Sequence, residues 1–265
     1  MKPVFTLFTI MPLDPLALPA FRDNYLWALV HENQALVVDP GDATVVEQWL
    51  AENKLTLAFL LITHHHADHI GGLEALLERH RPVVYGPDED INGIQHILEG
   101  GETLTLAGFG RARVMAVPGH TRAHIAYYLP ESALLFCGDT LFSAGCGRIF
   151  EGTAAQLYQS LQDLAGLPDR TRICCTHEYT ESNLRFAAVA EPGNPAVAQR
   201  QREVTQLRAA GQPSLPVLLG QERLYNPFLR CHETTVTQRV AEETGQALTA
   251  GLATFTALRA WKDRF

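Results

Sequence analysis

The segment Thr63-His64-His65-His66-Ala67-Asp68-His69 sets four imidazoles and one carboxylate within six positions, at the end of the apolar run LAFLLIT over 57–63. Neutral imidazole nitrogens and carboxylate oxygens together suit zinc, iron or manganese. A histidine-rich surface loop is the plainer reading. The preceding run argues against it, because continuous apolar runs of this length are strands buried on both faces, and ligand sites gather at the carboxyl ends of such strands. Three isolated residues sit in the same kind of place. His120 lies in VPGHT, Asp139 in FCGDT and His177 in CCTHE, each just past a strand-like run. Any one alone reads as a satisfied polar loop residue. His65 aside, the candidate donors number seven. That is too many for one tetrahedral ion and suits two ions sharing a carboxylate, with Asp139 as the natural bridge.

The elements that must carry these residues follow from periodicity. LWALV at 26–30 and ALVVD at 35–39 form a hairpin ended by Pro40 and Gly41. TVVEQWLAENK has helical spacing, with Val45, Val46, Trp49 and Leu50 on one face. A helix start follows the histidines at GGLEALLERH, and PVVYG at 82–86 is a short strand. TLTLAG, RARVMAV, HIAYYL and ALLFCGD read as further strands, TAAQLYQSLQDLAGL at 153–167 as an amphipathic helix, and TRICCTH as a strand ending on His177. From about residue 178 the pattern turns helical, in ESNLRFAAVAE, AVAQRQREVTQLRAA and TALRAWKDRF, broken by Pro and Gly at 192–195 and 211–216. The expected organisation is therefore a mixed domain over 1–177 and a helical domain over 178–265, with residues 1–15 as a loose extension.

Composition narrows the function. The chain has 265 residues, 46% apolar, enough for a large core. Its 29 acidic against 21 basic residues give a net charge of −8, the wrong sign for a nucleic-acid binder. No apolar run reaches the roughly 18 residues that span a bilayer. The N-terminal stretch has the outline of a signal peptide, but Pro3, Pro12, Asp14 and Pro15 interrupt it. Five scattered cysteines, with Cys174 and Cys175 adjacent in an apolar run, read as buried thiols in a reducing cytoplasm rather than a disulfide framework.

The pattern His-x-His-x-Asp-His at His64, His66, Asp68 and His69, followed by His120, Asp139 and His177, resembles the metallo-β-lactamase superfamily. The resemblance implies an α+β fold, an αβ/βα sandwich followed here by a smaller C-terminal helical domain. It implies a first ion on His64, His66 and His120, a second on Asp68, His69 and His177, and Asp139 between them. Asp68 and Asp139 thereby become candidate catalytic residues as well as metal ligands. His65 falls at the motif's variable position and is not taken as a ligand. His31, His80, His96, His124 and His232 are left to solvated or structural roles.

Within the superfamily the chain is similar to the hydroxyacylglutathione hydrolase (glyoxalase II) family. The likeness runs from about residue 16 to the end, through LPAFRDNYLW, VVDPGD, THHHADHIGG, VPGHTRAHIAYY, FCGDTLFSAGCGRIFEGTA, THEYTESNLRFA and LRAWKDRF. By position, Arg148, Tyr179, Arg259 and Lys262 resemble the family's glutathione-contacting residues. Where that family often has Lys-x-Tyr, this chain has Arg148 and Phe150, so a contact from that tyrosine hydroxyl is missing. Arg259 and Lys262 share a helical face and are expected to anchor a carboxylate remote from the metals. The implied partner is a small glutathione thioester handled by a monomer, with two divalent ions, zinc first and iron or manganese tolerated by the same donors.

The residues support that chemistry. No G-x-S-x-G is present, and Cys146 has no evident base, so metal-activated water is the expected nucleophile and Cys146 a packed thiol. A thiol leaving group, with a pKa of about 8.5, departs without a strong general acid. Asp39, at the end of VVD, is expected to support a metal histidine from behind. Competing readings are a mononuclear-iron persulfide dioxygenase, which the helical tail disfavours, a nuclease relative, which the charge disfavours, and a metal-binding module without turnover.

Overall fold

A computed structural model describes residues 12–265. It opens with β1 (Leu16–Ala20), β2 (Asn24–His31) and β3 (Gln34–Val38), then α1 (Ala43–Asn53), β4 (Thr56–Leu61), the short α2 (Ala67–Ile70), α3 (Leu73–His80), β5 (Val83–Pro87) and β6 (His96–Leu98). These strands form one sheet in sequence order, β1 to β6. The second sheet takes β7 (Thr103–Leu106), β8 (Gly110–Ala116), β9 (Ile125–Leu129), β10 (Leu134–Phe136), β13 (Arg172–Cys174) and β14 (Val217–Leu218), in the order β14-β13-β10-β9-β8-β7. Between them in sequence lie the hairpin strands β11 (Leu141–Phe142) and β12 (Gly145–Cys146), then α4 (Ala154–Ala165). The chain ends in α5 (Thr180–Ala190), α6 (Pro195–Ala209), α7 (Leu219–Tyr225), α8 (Thr234–Thr244) and α9 (Leu252–Lys262).

Strand periodicity explains the layering. In β2, Leu26 and Ala28 face α1 and α3, while Tyr25, Trp27 and Leu29 face the second sheet; in β3, Ala35 and Val37 face out, and Leu36 and Val38 face in. A register shift opposite Ala35/Leu36 pairs those residues with Leu57 and Phe59, so Ala58 is the extra residue of a bulge. The inner faces of both sheets, α4 and the helical tail share one apolar cluster, in which Leu184, Phe186, Val204 and Phe255 join Leu135, Phe136 and Ile173.

Several expectations change in detail. The extension over 1–15 is described only from residue 12, its first eleven residues lying outside the described part. The described end is not loose: the Leu13 side chain is buried, its N–H donates to Ser132 Oγ, and Asp14 pairs with Arg172 at 2.7 Å. The strand expected to run to His177 stops at Cys174. Beyond it Tyr25 N–H donates to the Thr176 carbonyl and Trp27 Nε1 to the Cys175 carbonyl, which draws the segment from the second sheet towards β2 of the first. β1, β6, α7 and α8 have too short or too mixed a pattern to show in the sequence.

Strands β3 and β4 run parallel, as do β10 and β13, and β9 runs antiparallel to both β8 and β10. The carboxyl ends of β4, β8, β10 and β13 therefore deliver His64–His69, His120, Asp139 and His177 to one edge of the sandwich.

Candidate metal centre

All seven expected donors converge. His64, His66 and His120 form one group and Asp68, His69 and His177 another, while Asp139 groups with His64 and His69; within each group the donor atoms lie within 4.8 Å of one another. His66 Nδ1 is 3.0 Å from both His64 Nε2 and His120 Nε2. On the other side, Asp68 Oδ2 is 3.4 Å from His177 Nε2 and 3.6 Å from His69 Nε2. Asp139 spans the two: Oδ1 lies 3.5 Å from His69 Nε2, and Oδ2 lies 3.4 Å from His177 Nε2 and 3.6 Å from His120 Nε2. Donors at 2.0–2.1 Å around a tetrahedral ion stand about 3.3 Å apart, so the donor spacing fits coordination. Two buried donor atoms, His69 Nε2 and Asp139 Oδ1, have no hydrogen-bond partner among the described residues. A cation between them would satisfy both.

The far side of four of the five imidazoles, those of His64, His69, His120 and His177, is held, which aims the donor nitrogen inward. His120 Nδ1 meets the Arg148 carbonyl at 2.8 Å and His177 Nδ1 meets Asp23 Oδ1 at 2.8 Å. His69 Nδ1 meets Asp39 Oδ2 at 3.0 Å, as expected of a residue supporting a histidine from behind. Asp39 does more: its carboxylate also accepts from Thr63 N–H and Thr63 Oγ1, and that hydroxyl faces His64 Nδ1 at 3.0 Å. One carboxylate thus steadies both donor groups, from a residue in the left-handed region at φ 50°. Asn24 Nδ2 donates to Asp68 Oδ2 at 2.9 Å. His124 is buried, stacks on His64 at 4.6 Å and accepts from Asp139 N–H. His65 points away to Glu89 and Glu151.

Burial, backed by the charges of His69 and His124, pushes His64 well below the usual imidazole range. Burial also pulls His69 and His177 down, but carboxylates outweigh it: Asp139 and Asp39 raise His69 to about 10, and Asp139, Asp68 and Asp23 raise His177 to about 11. Burial works against ionisation of Asp139, yet the His69 and His177 imidazoles hold its carboxyl well below the usual range. The carboxylates thus favour positive charge on this side of the site, which a bound cation would supply.

A cavity of about 550 Å³ opens onto His120 and Asp139 and runs to the C-terminal helix. Arg148, Tyr179, Arg259 and Lys262 all line it. Tyr179 stacks on His177 with ring centroids 4.7 Å apart. Phe150, exposed, packs edge-on against His66 and His120 at the mouth. Lys262 Nζ lies 4.9 Å from the Phe186 ring centre, and burial, then Arg259 and Arg185, lower its pKa to about 8. Arg259 is buried more deeply than a surface anchor: it donates to the Cys146 carbonyl at 3.1 Å and pairs with Asp263. Cys146 is buried, and burial raises its thiol although Arg259 opposes the shift. A thiol kept protonated beside a donor is not an activated nucleophile. Asp23, Asn24 and Asn183 escaped the sequence reading. All three lie in quoted segments, LPAFRDNYLW and THEYTESNLRFA, but nothing in their spacing marks a role.

Residues 21–177 match the metallo-beta-lactamase superfamily, and residues 178–265 match the hydroxyacylglutathione hydrolase C-terminus. Proteins named hydroxyacylglutathione hydrolase from Photobacterium profundum and Pseudomonas fluorescens are 52% and 50% identical over 254 and 253 residues, spanning 94% of this chain and 98% of each relative. The crystal structure of ETHE1 from Myxococcus xanthus superposes with a TM-score of 0.63 at 26% identity, covering 95% of this chain and 98% of that one. A structure in a di-iron-bound form matches with a TM-score of 0.52 at 26% identity, over 62% of this chain and 91% of its own.

Proposed function

Because this chain belongs to the hydroxyacylglutathione hydrolase family of the metallo-beta-lactamase superfamily, we propose that it hydrolyses glutathione thioesters, converting S-D-lactoylglutathione and water to D-lactate and glutathione. The observation that carries this reading is a single cavity joining the His/Asp cluster to a basic anchor. In it the acyl end of a substrate meets the metal donors while its charged glutathione end meets Arg148 and Lys262. The chain would divide at 177/178 into a metal-holding and a substrate-holding part, working in the cytoplasm.

His64, His66 and His120 would hold one ion and Asp68, His69 and His177 the other, with Asp139 shared and zinc the first choice at both. When bound, such a pair lowers the pKa of water to about 7 and polarises a carbonyl oxygen. The remaining work belongs to the chain. Asp23, Asp39 and the Arg148 carbonyl keep the imidazoles in the tautomers that present lone pairs. Phe142 and Tyr179 wall the His177 side, with ring centres 5.3 Å apart, and limit water at the reacting carbon. Lys262 and Arg148 orient the thiol half, whose sulfur leaves as thiolate, so no side chain is required to protonate it.

The test is thioester hydrolysis followed by ultraviolet absorbance, with and without a chelator, using S-D-lactoylglutathione and a thioester of a small neutral thiol. Chelator-sensitive turnover that favours the glutathione thioester is expected. Turnover of neither substrate by metal-loaded protein would refute the reading, as would oxygen uptake with glutathione persulfide in place of hydrolysis.

A further inference from the structure

Between Asp139 and Arg148 the chain makes the β11–β12 hairpin, and side chains from the helical tail grip its tip on every side. Asn226 Nδ2 donates to the Phe142 carbonyl at 3.1 Å and the Gly145 carbonyl at 3.0 Å. Asn183 Nδ2 donates to the Ser143 carbonyl at 3.0 Å. Glu222 accepts from Ser143 Oγ at 2.7 Å and from Ala144 N–H at 2.8 Å. Arg259 donates to the Cys146 carbonyl. Glu222 and Asn226 have no solvent exposure, and they bond each other at 3.0 Å. Glu222 also accepts from the Tyr225 hydroxyl at 2.6 Å, and a buried carboxylate with four donors is a costly device for satisfying a turn that is itself buried unless its position matters.

The hairpin's two ends explain what is being fixed. Its leading end is the Asp139–Thr140 turn, and its returning end runs back against it: a Cβ at Gly147 would stand 1.9 Å from the Asp139 carbonyl oxygen and 3.3 Å from His120 Nδ1. Gly147 N–H donates to the Thr140 carbonyl, and the Arg148 carbonyl receives His120. Displacing the hairpin therefore displaces both the shared carboxylate and the backbone oxygen that aims an imidazole. We infer that the helical tail holds the metal centre in shape through this hairpin, with Glu222 and Asn226 as positioning residues. The inference rests on the two-ion reading above and assigns these residues no contact with substrate.

The experiment compares zinc-loaded wild type, Asn226→Asp and Glu222→Gln for the rate of metal loss to a chromophoric chelator, in the absence of substrate. Asn226→Asp keeps the shape but turns a donor to two carbonyls into an acceptor. It is expected to shed metal at least about tenfold faster, a floor set by the scale of a single broken buried hydrogen bond when two carbonyls and Glu222 lose their donor, with helical circular dichroism unchanged. Glu222→Gln still accepts from Ala144 and Asn226, and its amide can donate to the Ser143 and Tyr225 hydroxyls, so it is expected to retain metal far better than Asn226→Asp. In steady state Asn226→Asp should lose kcat more than it gains KM. A folded Asn226→Asp that keeps its metal as wild type does, or that changes KM alone, overturns the inference. Should Asn226→Asp not fold, Ser143→Ala, which removes one donor, takes its place; metal loss at the wild-type rate there also overturns it. Wild type that binds no metal overturns the two-ion reading itself.

Discussion

Replacing Lys262 by methionine isolates the basic anchor. Lys262 Nζ sits over the Phe186 and Phe265 rings, and methionine puts an apolar chain of similar length beside them while removing the charge. Arg259 is the poorer probe, since its loss also frees the Cys146 carbonyl. A lysine–carboxylate pair about 4 Å apart is worth about 4 kcal/mol at an effective dielectric of about 20, and an exposed pair only about 0.2–1 kcal/mol. Half-buried Lys262 falls between, so a net loss of about 1.4 kcal/mol, or about tenfold in KM for the glutathione thioester, is expected. The anchor touches a part of the substrate that does not react, so kcat should hold. Sign and window follow from its lowered pKa: a lysine at about 8 is mostly charged at pH 7 and neutral well above it. Wild-type KM should therefore rise as pH climbs through about 8, with a bound anion moving the rise upwards, while Lys262→Met stays flat. The assay is initial rates from about pH 6.5 to 9.5, with a neutral-thiol thioester as control. An unchanged KM at pH 7, or parallel pH profiles for the two proteins, refutes the anchor.

Removal of Asp139 should lower metal content and activity together, because both donor groups lose their shared carboxylate; full metal occupancy with wild-type turnover in Asp139→Ala would sink the bridging role. Zinc added to metal-free protein at pH 8 should release about three protons per chain, two from His69 at about 10 and His177 at about 11 and one from the bound water, whose pKa falls to about 7. Titration calorimetry in buffers of differing ionisation enthalpy reads that number, and a value near zero would contradict it.

The donors were legible because each sits just past a strand, and strands declare themselves by apolar runs even when their ends are uncertain. Their convergence also follows from strand direction, which the sequence leaves open until pairing is known. What escaped is the scaffolding at long sequence separation. Glu222 and Asn226 lie in QERLYNPF, a stretch with no spacing that distinguishes a buried carboxylate from a solvated one, and their partners are 78 to 84 residues away. The burial of Arg259 was hidden for the same reason: its place on the helix shows only a basic face, and the hairpin and Phe228 that cover it lie far off in sequence. Leu13 and β1 were missed because prolines obscured an edge that the first sheet completes by pairing with β2.

The apolar cluster shared by the second sheet and the helical tail bears on how such a chain is cut or recombined. A fragment ending at His177 would bare the surfaces that Leu184, Phe186 and Phe255 cover, leave β13 without its β14 neighbour and leave the hairpin carbonyls bonded to water. The family boundary at 177/178 is thus a seam in sequence ancestry, with no matching seam in the interior. Transplanting the first part onto another scaffold would have to carry the hairpin and its grip together, or the graft would inherit donors without the rigidity that aims them.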